Sequence, residues 1–389
     1  MDNKKIDVIV VGCGFAGATV ARLLADHNKK VLILEERNHF GGNSFDKLNE
    51  DGILIHPYGP HIFHTNEKRV MDFLLRFSDF VDYKHRVKGN IDNKIVPIPF
   101  NFSSIELCFE KTKADEIKKR LLDAFENKKT VSIFDLLECD DCIIKEFGNF
   151  VYEKVFERYT AKQWSCDISK IDKSVINRVP VVLGYTDTYF HDEFQCMPRY
   201  GFNRLFKNIL NCKLIDIELN TKAEDVLSVV GSKVFYKGKL FNGVVIFTGE
   251  IDKFFNYEFG HLSYRSLDFA FETLPVDSYQ EAAVVNYNTS EDYTRITEFK
   301  KLTGQEKEGL TTILKEYPLT YDSTKGMIPF YPINDVPNNT LYNRYFEKAK
   351  SIDNFYCCGR LAEYKYYNMD KVISRAMDVV EEILNKWKF

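Results

Sequence analysis

Apolar positions along the 389 residues follow two rhythms. Short unbroken runs, Ile6 to Val11 and Val31 to Leu34, have the length and β-branched content of strands buried on both faces. A helical segment joins them and predicts a βαβ unit at the start of the chain. KIVPIPFNF (94–102) suits an edge strand or a turn, because proline gives no N–H to a ladder. Residues 103–178 change to a helical period in KADEIKKRLLDAF and NFVYEKVFERYTAKQW. Short strands return between 212 and 248, in CKLIDIEL, KVFYKG and GVVIFTG. Residues 261–332, rich in aromatic and β-branched side chains, predict an antiparallel sheet, and FYCCGR (355–360) reads as one more buried strand. A last helix, about 369–387, sets Val372, Ile373, Ala376, Val379, Val380, Ile383 and Leu384 at helical spacing.

The totals narrow the class. A chain of this length divides into two or three lobes rather than building one core. Its 32 Phe and 22 Tyr supply rings for a core or for stacking on flat ligands. A net charge of −4 without a basic run disfavours nucleic acid, which needs a concentrated cationic surface. No apolar run approaches the ~20 residues of a membrane span. Lys4 and Lys5 before an apolar run resemble a signal peptide, but Asp7 interrupts the run and the glycines after it have a better use. Nine cysteines, an odd number in a long chain, fit reduced thiols and a cytoplasmic location. Cys139-Asp-Asp-Cys142 has no second CxxC or paired histidines beside it, so no metal is expected there.

The sharpest signal is the loop after the first strand. Gly12 allows a tight turn, Gly14 lets the backbone approach a pyrophosphate, and Gly17 lets helix and strand pack closely. The helix that follows aims its free N–H groups at the phosphates. Glu35 ends the second strand 23 residues after Gly12 (35 − 12), near the spacing of a carboxylate that binds a ribose hydroxyl. The second glycine pair in ERNHFGGN argues for FAD over NAD, since the chain passes close to the cofactor again. The fold class expected is therefore α/β: a discontinuous Rossmann-like FAD-binding domain (1–90, 200–260 and 340–389) carrying two inserts. One is a helical substrate- or nucleotide-binding domain (103–195), and the other an antiparallel β-sheet domain (91–102 with 261–339).

Three further groups carry chemistry. His56, His61 and His64 fall in one short loop, at spacings that match no usual zinc motif and with no carboxylate among them. The loop is either structural or lies against the flavin, where His61 or His64 tunes the ring. Tyr159-Thr-Ala-Lys-Gln-Trp164 ends an amphipathic helix and reads as core packing or as a platform for a nucleotide base. Arg178, Arg199, Arg204, Arg265, Arg295 and Arg360 lie outside obvious helix faces, and a nucleoside diphosphate needs such guanidinium forks.

GCGFAGA, ERNHFGGN, HPYGPHIFHTN, VPIPFN, YTAKQW, RVPV, YTRITE, EYP, YPIN and GRLAEYKYYNM occur together and in order. In this the chain resembles, over nearly its whole length, the UDP-galactopyranose mutase family. The resemblance implies an isomerase of cell-surface polysaccharide biosynthesis, such as lipopolysaccharide O-antigen. It implies FAD that must be reduced, with flavin N5 attacking the anomeric carbon and the ring reclosing as a furanose. It further implies that Gly12, Gly14, Phe15, Gly17, Glu35, Glu36, Gly42 and Asn43 hold the adenosine and pyrophosphate side of FAD. His61 and Ile62 line the isoalloxazine, joined by His64 as a catalytic residue. Arg360, Tyr367, Asn368, Met369, Asp370, Lys371 and Val372 hold the far end of the cofactor. Tyr159, Thr160, Trp164 and Tyr189 face the base and ribose, Asn286 faces the sugar, and His85 is a further substrate-binding residue. Arg178 and Arg295, the catalytic arginines, clamp the diphosphate with Tyr331 and Tyr366. Members of the family are often homodimers.

The departures from the family pattern are specific. Asn368 stands where the family usually has Asp, and TGEID (248–252) replaces TGPID. CCGR replaces a GGR-like sequence, PVVLGYTDTYF lacks an Arg after Pro-Val, and MPRYGF replaces a Gly-Gly turn. These leave dTDP-fucopyranose, the substrate of a related branch, as the alternative to UDP-galactopyranose. Readings of another class are a flavin amine oxidase-like oxidoreductase and a non-catalytic nucleotide-sugar sensor.

Overall fold

Alternate residues of the first strand serve two different cores, and this organises the molecule. The computed structural model describes residues 6–157, 179–288 and 291–387. Five parallel strands form the central sheet, in the order Ile215–Glu218, Val31–Leu34, Val8–Val11, Val244–Phe247 and Phe355–Cys357. Val8, Val10, Ile33 and Ile246 point to one face, where the helices Phe15–Asp26 and Met369–Lys386 pack. Ile9, Val11, Leu34 and Phe247 point to the other, under a small antiparallel sheet (residues 227–241) and the helix Val336–Lys350. Both faces are covered over the three central strands, which is why these read as unbroken apolar runs, while the edge strand Ile215–Glu218 carries two acids.

The second unit is a seven-stranded sheet, in the order Tyr331–Pro332, Tyr264–Leu274, Thr311–Thr320, Arg295–Glu298, Val284–Tyr287, Val87–Ile91 and Lys94–Ile98. It is antiparallel except where Val284–Tyr287 and Val87–Ile91 run parallel, so the sheet is mixed. Its second-last strand comes from upstream of residue 91, because Val87–Ile91 forms a hairpin with Lys94–Ile98. That hairpin supplies the edge that Pro97 suits.

Helices Phe102–Cys108, Lys111–Ala124, Ile133–Leu137 and Cys142–Val151 share a core with Val87, Val96, Ile98 and Val284 of this sheet. Asn101 and Ser104 cap the first of these helices reciprocally. Asp141 caps the last, accepting from the amides of Ile143 (2.9 Å) and Ile144 (3.2 Å). The Cys139–Cys142 spacing is thus the sequence of a helix N-terminus, and both thiols are free. Phe194–Pro198 pairs with both Phe63–Thr65 and Phe80–Asp82, tying the chain that follows the helical insert back to the histidine loop.

Candidate functional site: a groove between the two sheets

The nucleotide end forms where the first strand meets its helix. Gly12 has φ +94°, and a Cβ there would sit 2.2 Å from Thr248 Oγ1. Gly14 is the N-cap of the Phe15–Asp26 helix and brings no side-chain cap, so the first-turn amides stay available to a ligand. Gly42 passes so near that a Cβ on it would lie 2.9 Å from the Gly14 Cα. A side chain at either contact would fill the cradle that a dinucleotide pyrophosphate needs. Gly17 does not face the groove. A Cβ there would lie 1.9 Å from the Gly12 carbonyl oxygen, so Gly17 sets the helix–strand approach instead.

Glu35 is buried, and its two oxygens accept from the Cys13 amide (2.7 Å) and the Arg37 amide (2.9 Å). Burial raises its pKa, opposed by those two amides. It therefore braces the glycine loop as well as lining the pocket. Glu36 pairs with Lys253 at 3.0 Å. A cavity of about 260 Å³ runs from Glu35 and Glu36, past Phe15 and Asn43, to Met369 and Val372 at the start of the C-terminal helix. Arg37, Thr221, Thr248, Glu250 and Lys253 also line it. Of these, Arg37 lies in ERNHFGGN and Thr248 and Glu250 in the altered TGEID, whereas no motif marked Thr221 or Lys253.

A second cavity, about 300 Å³, continues from the first, and Asn43, His61, Phe330, Arg360 and Met369 belong to both. It collects His64, His85, Tyr189, Asn286, Arg295, Tyr331 and Tyr366, with Ile62 and Asn368. Strand register explains much of this. Asn286 stands opposite Arg295, and Arg295 opposite Glu316, so three adjacent strands put them side by side. Glu316 is buried and accepts from Arg295 Nε at 2.6 Å, fixing the guanidinium plane. Arg360 donates to the Phe330 carbonyl (3.1 Å) and twice to that of Tyr367, beneath the stacked rings of Tyr331 and Tyr366. Arg265 lines the cavity too, whereas Arg199 and Arg204 do not. Three guanidinium groups thus face one hollow whose described carboxylate is Glu316.

The histidines split by environment. Burial and the nearby Arg360 and Arg295 push His61 down to about 4, so it is neutral at physiological pH. Its Nδ1 lies 2.8 Å from the Gly59 carbonyl, which assigns the proton to that nitrogen and leaves Nε2 an acceptor. His56 is fully buried and accepts the His61 amide on its Nδ1 (3.0 Å), so it is structural. His64 stacks on Phe190 at 3.7 Å and meets Asp192 at 2.8 Å. Among the described residues no group of His, Cys, Asp or Glu is arranged to hold a metal.

The side chains of Asp370 and Lys371 turn away from both cavities. Asp370 is buried and accepts from Thr65 Oγ1 (3.2 Å), and Lys371 turns outward to pair with Glu67. Neither lines a cavity, because only Met369 and Val372 of that first turn face inward. Glu36, Asn43, Asn368 and Tyr367 all line the groove as expected. Tyr159, Thr160, Trp164 and Arg178 lie outside the described residues, but Phe156 before them and Val179 after them line the second cavity.

Comparisons with known proteins identify the family and the fold. A family model described as UDP-galactopyranose mutase matches residues 154–366, and one described as an NAD(P)-binding Rossmann-like domain matches residues 10–77. The UDP-galactopyranose mutase of Mycoplasma genitalium is 36% identical over 388 residues, covering 98% of this chain and 96% of that one. The dTDP-fucopyranose mutase of Escherichia coli is 38% identical over 379 residues, covering 96% and 97%. A crystal structure of reduced UDP-galactopyranose mutase matches with a TM-score of 0.73, covering 98% of this chain and 94% of its own at 14% identity, a likeness of fold.

Proposed function

Because the chain belongs to the UDP-galactopyranose mutase family, we propose that it interconverts the pyranose and furanose forms of a nucleoside-diphosphate sugar, with UDP-galactopyranose first among substrates. The observation that carries this is the merging of the two cavities at His61, Arg360 and Met369. A dinucleotide laid along the first cavity reaches the arginine-lined second one with its far end. Reduced FAD, when bound there, supplies the nucleophile for the anomeric carbon.

The chain's own residues supply the rest. Gly12, Gly14, Phe15 and Gly42 seat the pyrophosphate, Glu35, Glu36 and Asn43 flank the adenosine side, and His61 and Ile62, on the wall of the second cavity, would face the ring. Arg295, held by Glu316, takes the sugar's diphosphate with Arg178, Tyr331 and Tyr366. Returning that leaving group to the same carbon requires it to stay fixed, which planar guanidinium forks do. Asn286 orients the sugar, and Tyr189, with Tyr159, Thr160 and Trp164, receives base and ribose. Asp192 fixes the His64 ring on the wall of the second cavity. A neutral His61, with its proton on Nδ1, would offer Nε2 as an acceptor rather than a positive charge to the ring. A homodimer in the cytoplasm completes the proposal.

The second substrate, dTDP-fucopyranose, is favoured by the relative of that name at 38% identity. The reaction uses C1 and the C4 hydroxyl and never C6, so both sugars are chemically compatible. The deciding experiment reduces the purified protein with dithionite and offers UDP-galactofuranose and dTDP-fucofuranose separately, following pyranose formation by chromatography. Conversion only in the reduced state supports the mutase. No conversion of either sugar with reduced FAD bound sinks it. Oxygen-dependent turnover of an amine instead would establish the oxidase alternative.

A further inference from the structure

Glu250 is the residue that turns the family's usual TGPID into TGEID. The strand Val244–Phe247 lies beside Val8–Val11, so its carboxyl end opens on the same edge as the glycine loop. Thr248 touches that loop, donating its hydroxyl to the Val11 carbonyl at 2.7 Å. Two residues on, Glu250 lines the nucleotide cavity, and Tyr321 donates to its Oε1 at 2.5 Å. We propose that Glu250 is a cofactor-binding residue that works as a neutral carboxylic acid, its free O–H donating to an acceptor oxygen of the FAD diphosphate–ribose. This rests on the reading of the groove as an FAD site.

The charges around it favour the neutral form. Glu36 reaches it from the end of the second strand, and Lys253 and Asp252 from its own turn of helix. Lys253 is already shared between Glu36 (3.0 Å) and Glu224 (3.9 Å), and Asp252 is occupied by the Leu262 amide at 2.9 Å. The remaining groups near it, Tyr257, Tyr264 and Tyr321, are uncharged phenols. An ionised Glu250 would add a further anion beside a cradle built for two phosphate charges. Burial first, and then the carboxylates of Asp252 and Glu36, raise its pKa to about 7, while the Tyr321 bond and Lys253 pull it down. Both forms are populated in the free protein near neutrality, and the cofactor's negative charge selects the protonated one. Binding therefore takes up a proton.

The test titrates FAD into the apoprotein by quenching of flavin fluorescence at about pH 6.5 and about pH 8.5. Wild type should bind about tenfold more weakly at the higher pH. Glu250→Gln, permanently neutral with an N–H donor, should bind as wild type does at the lower pH and show no pH dependence. Tyr321→Phe should move the loss of affinity to higher pH. A flat wild type overturns the proposal, as does a Glu250→Gln variant that keeps the wild-type slope or loses affinity at both pH values. Failure of wild type to bind FAD at any pH would instead overturn the cofactor reading.

Discussion

Arg295 depends on an acid it does not share with solvent. Glu316 is 1% exposed and holds Arg295 Nε at 2.6 Å, so the guanidinium plane is set before any phosphate arrives. Glu316→Gln keeps the shape but removes the charge-assisted bond. It should raise KM for the nucleotide sugar about tenfold and leave the flavin absorbance unchanged. An unchanged KM would mean that Arg295 needs no such brace. His56 and His85 make a different residue-scale prediction. Burial holds both neutral in the folded protein, each pushed down to about 3. The unfolded chain takes up protons on both below about pH 6.5, so stability rises with pH between the folded and unfolded values and falls on acidification. Each costs up to about 1.4 kcal/mol per pH unit below that point. Tm measured from about pH 7 to about pH 5 should fall, and His85→Asn should flatten the fall; an identical slope in the variant would remove His85 from the cause.

The glycine loop is the element where sequence and structure meet most closely. The strands predicted at Val31–Leu34 and within Ile6–Val11 are there, and so is the C-terminal helix, Met369–Lys386. Their patterns are legible because both faces of the sheet and one face of the helix are buried, so packing and local preference agree. The seven-stranded sheet is less so. Nothing in Val87–Ile91 announces a parallel partner nearly 200 residues later, since alternation records which face is buried and not which strand lies alongside. Asp370 and Lys371 lie outside the cavity walls for a related reason: a motif names residues, but helical period decides which of them turn inward. The same period makes Gly17 a packing residue. Gly17→Ala would drive its Cβ into the Gly12 carbonyl, 1.9 Å away, and spread helix from strand. Loss of about 2–4 kcal/mol and a colourless preparation are expected. A yellow variant of wild-type Tm would show that the loop tolerates the spread.

At the scale of the molecule the site belongs to no single unit. The cofactor groove is cut at the edge of the parallel sheet, and the arginines stand on the mixed sheet and on the loop after Phe355–Cys357. That is why motifs found the residues but not their meeting, which depends on chain crossing between units more than once. His61, Phe330, Arg360 and Met369 wall both cavities, so ordering them for one ligand prepares them for the other. Arg360 is the strongest link, because its guanidinium is fixed by the Tyr367 and Phe330 carbonyls and stacks with Tyr331 and Tyr366, which face the second cavity. Binding at the two cavities should therefore be coupled, and coupling free energies are reciprocal. UDP, which carries the diphosphate without the sugar, should bind the FAD-loaded protein about tenfold more tightly than the apoprotein by calorimetry. Saturating UDP should slow release of FAD in the same proportion if association is unchanged. Arg360→Lys keeps the charge but loses the planar fork, so it should reduce that ratio toward one while UDP still binds. Equal UDP affinity with and without FAD would show the shared wall to be rigid from the start, with each cavity filled independently.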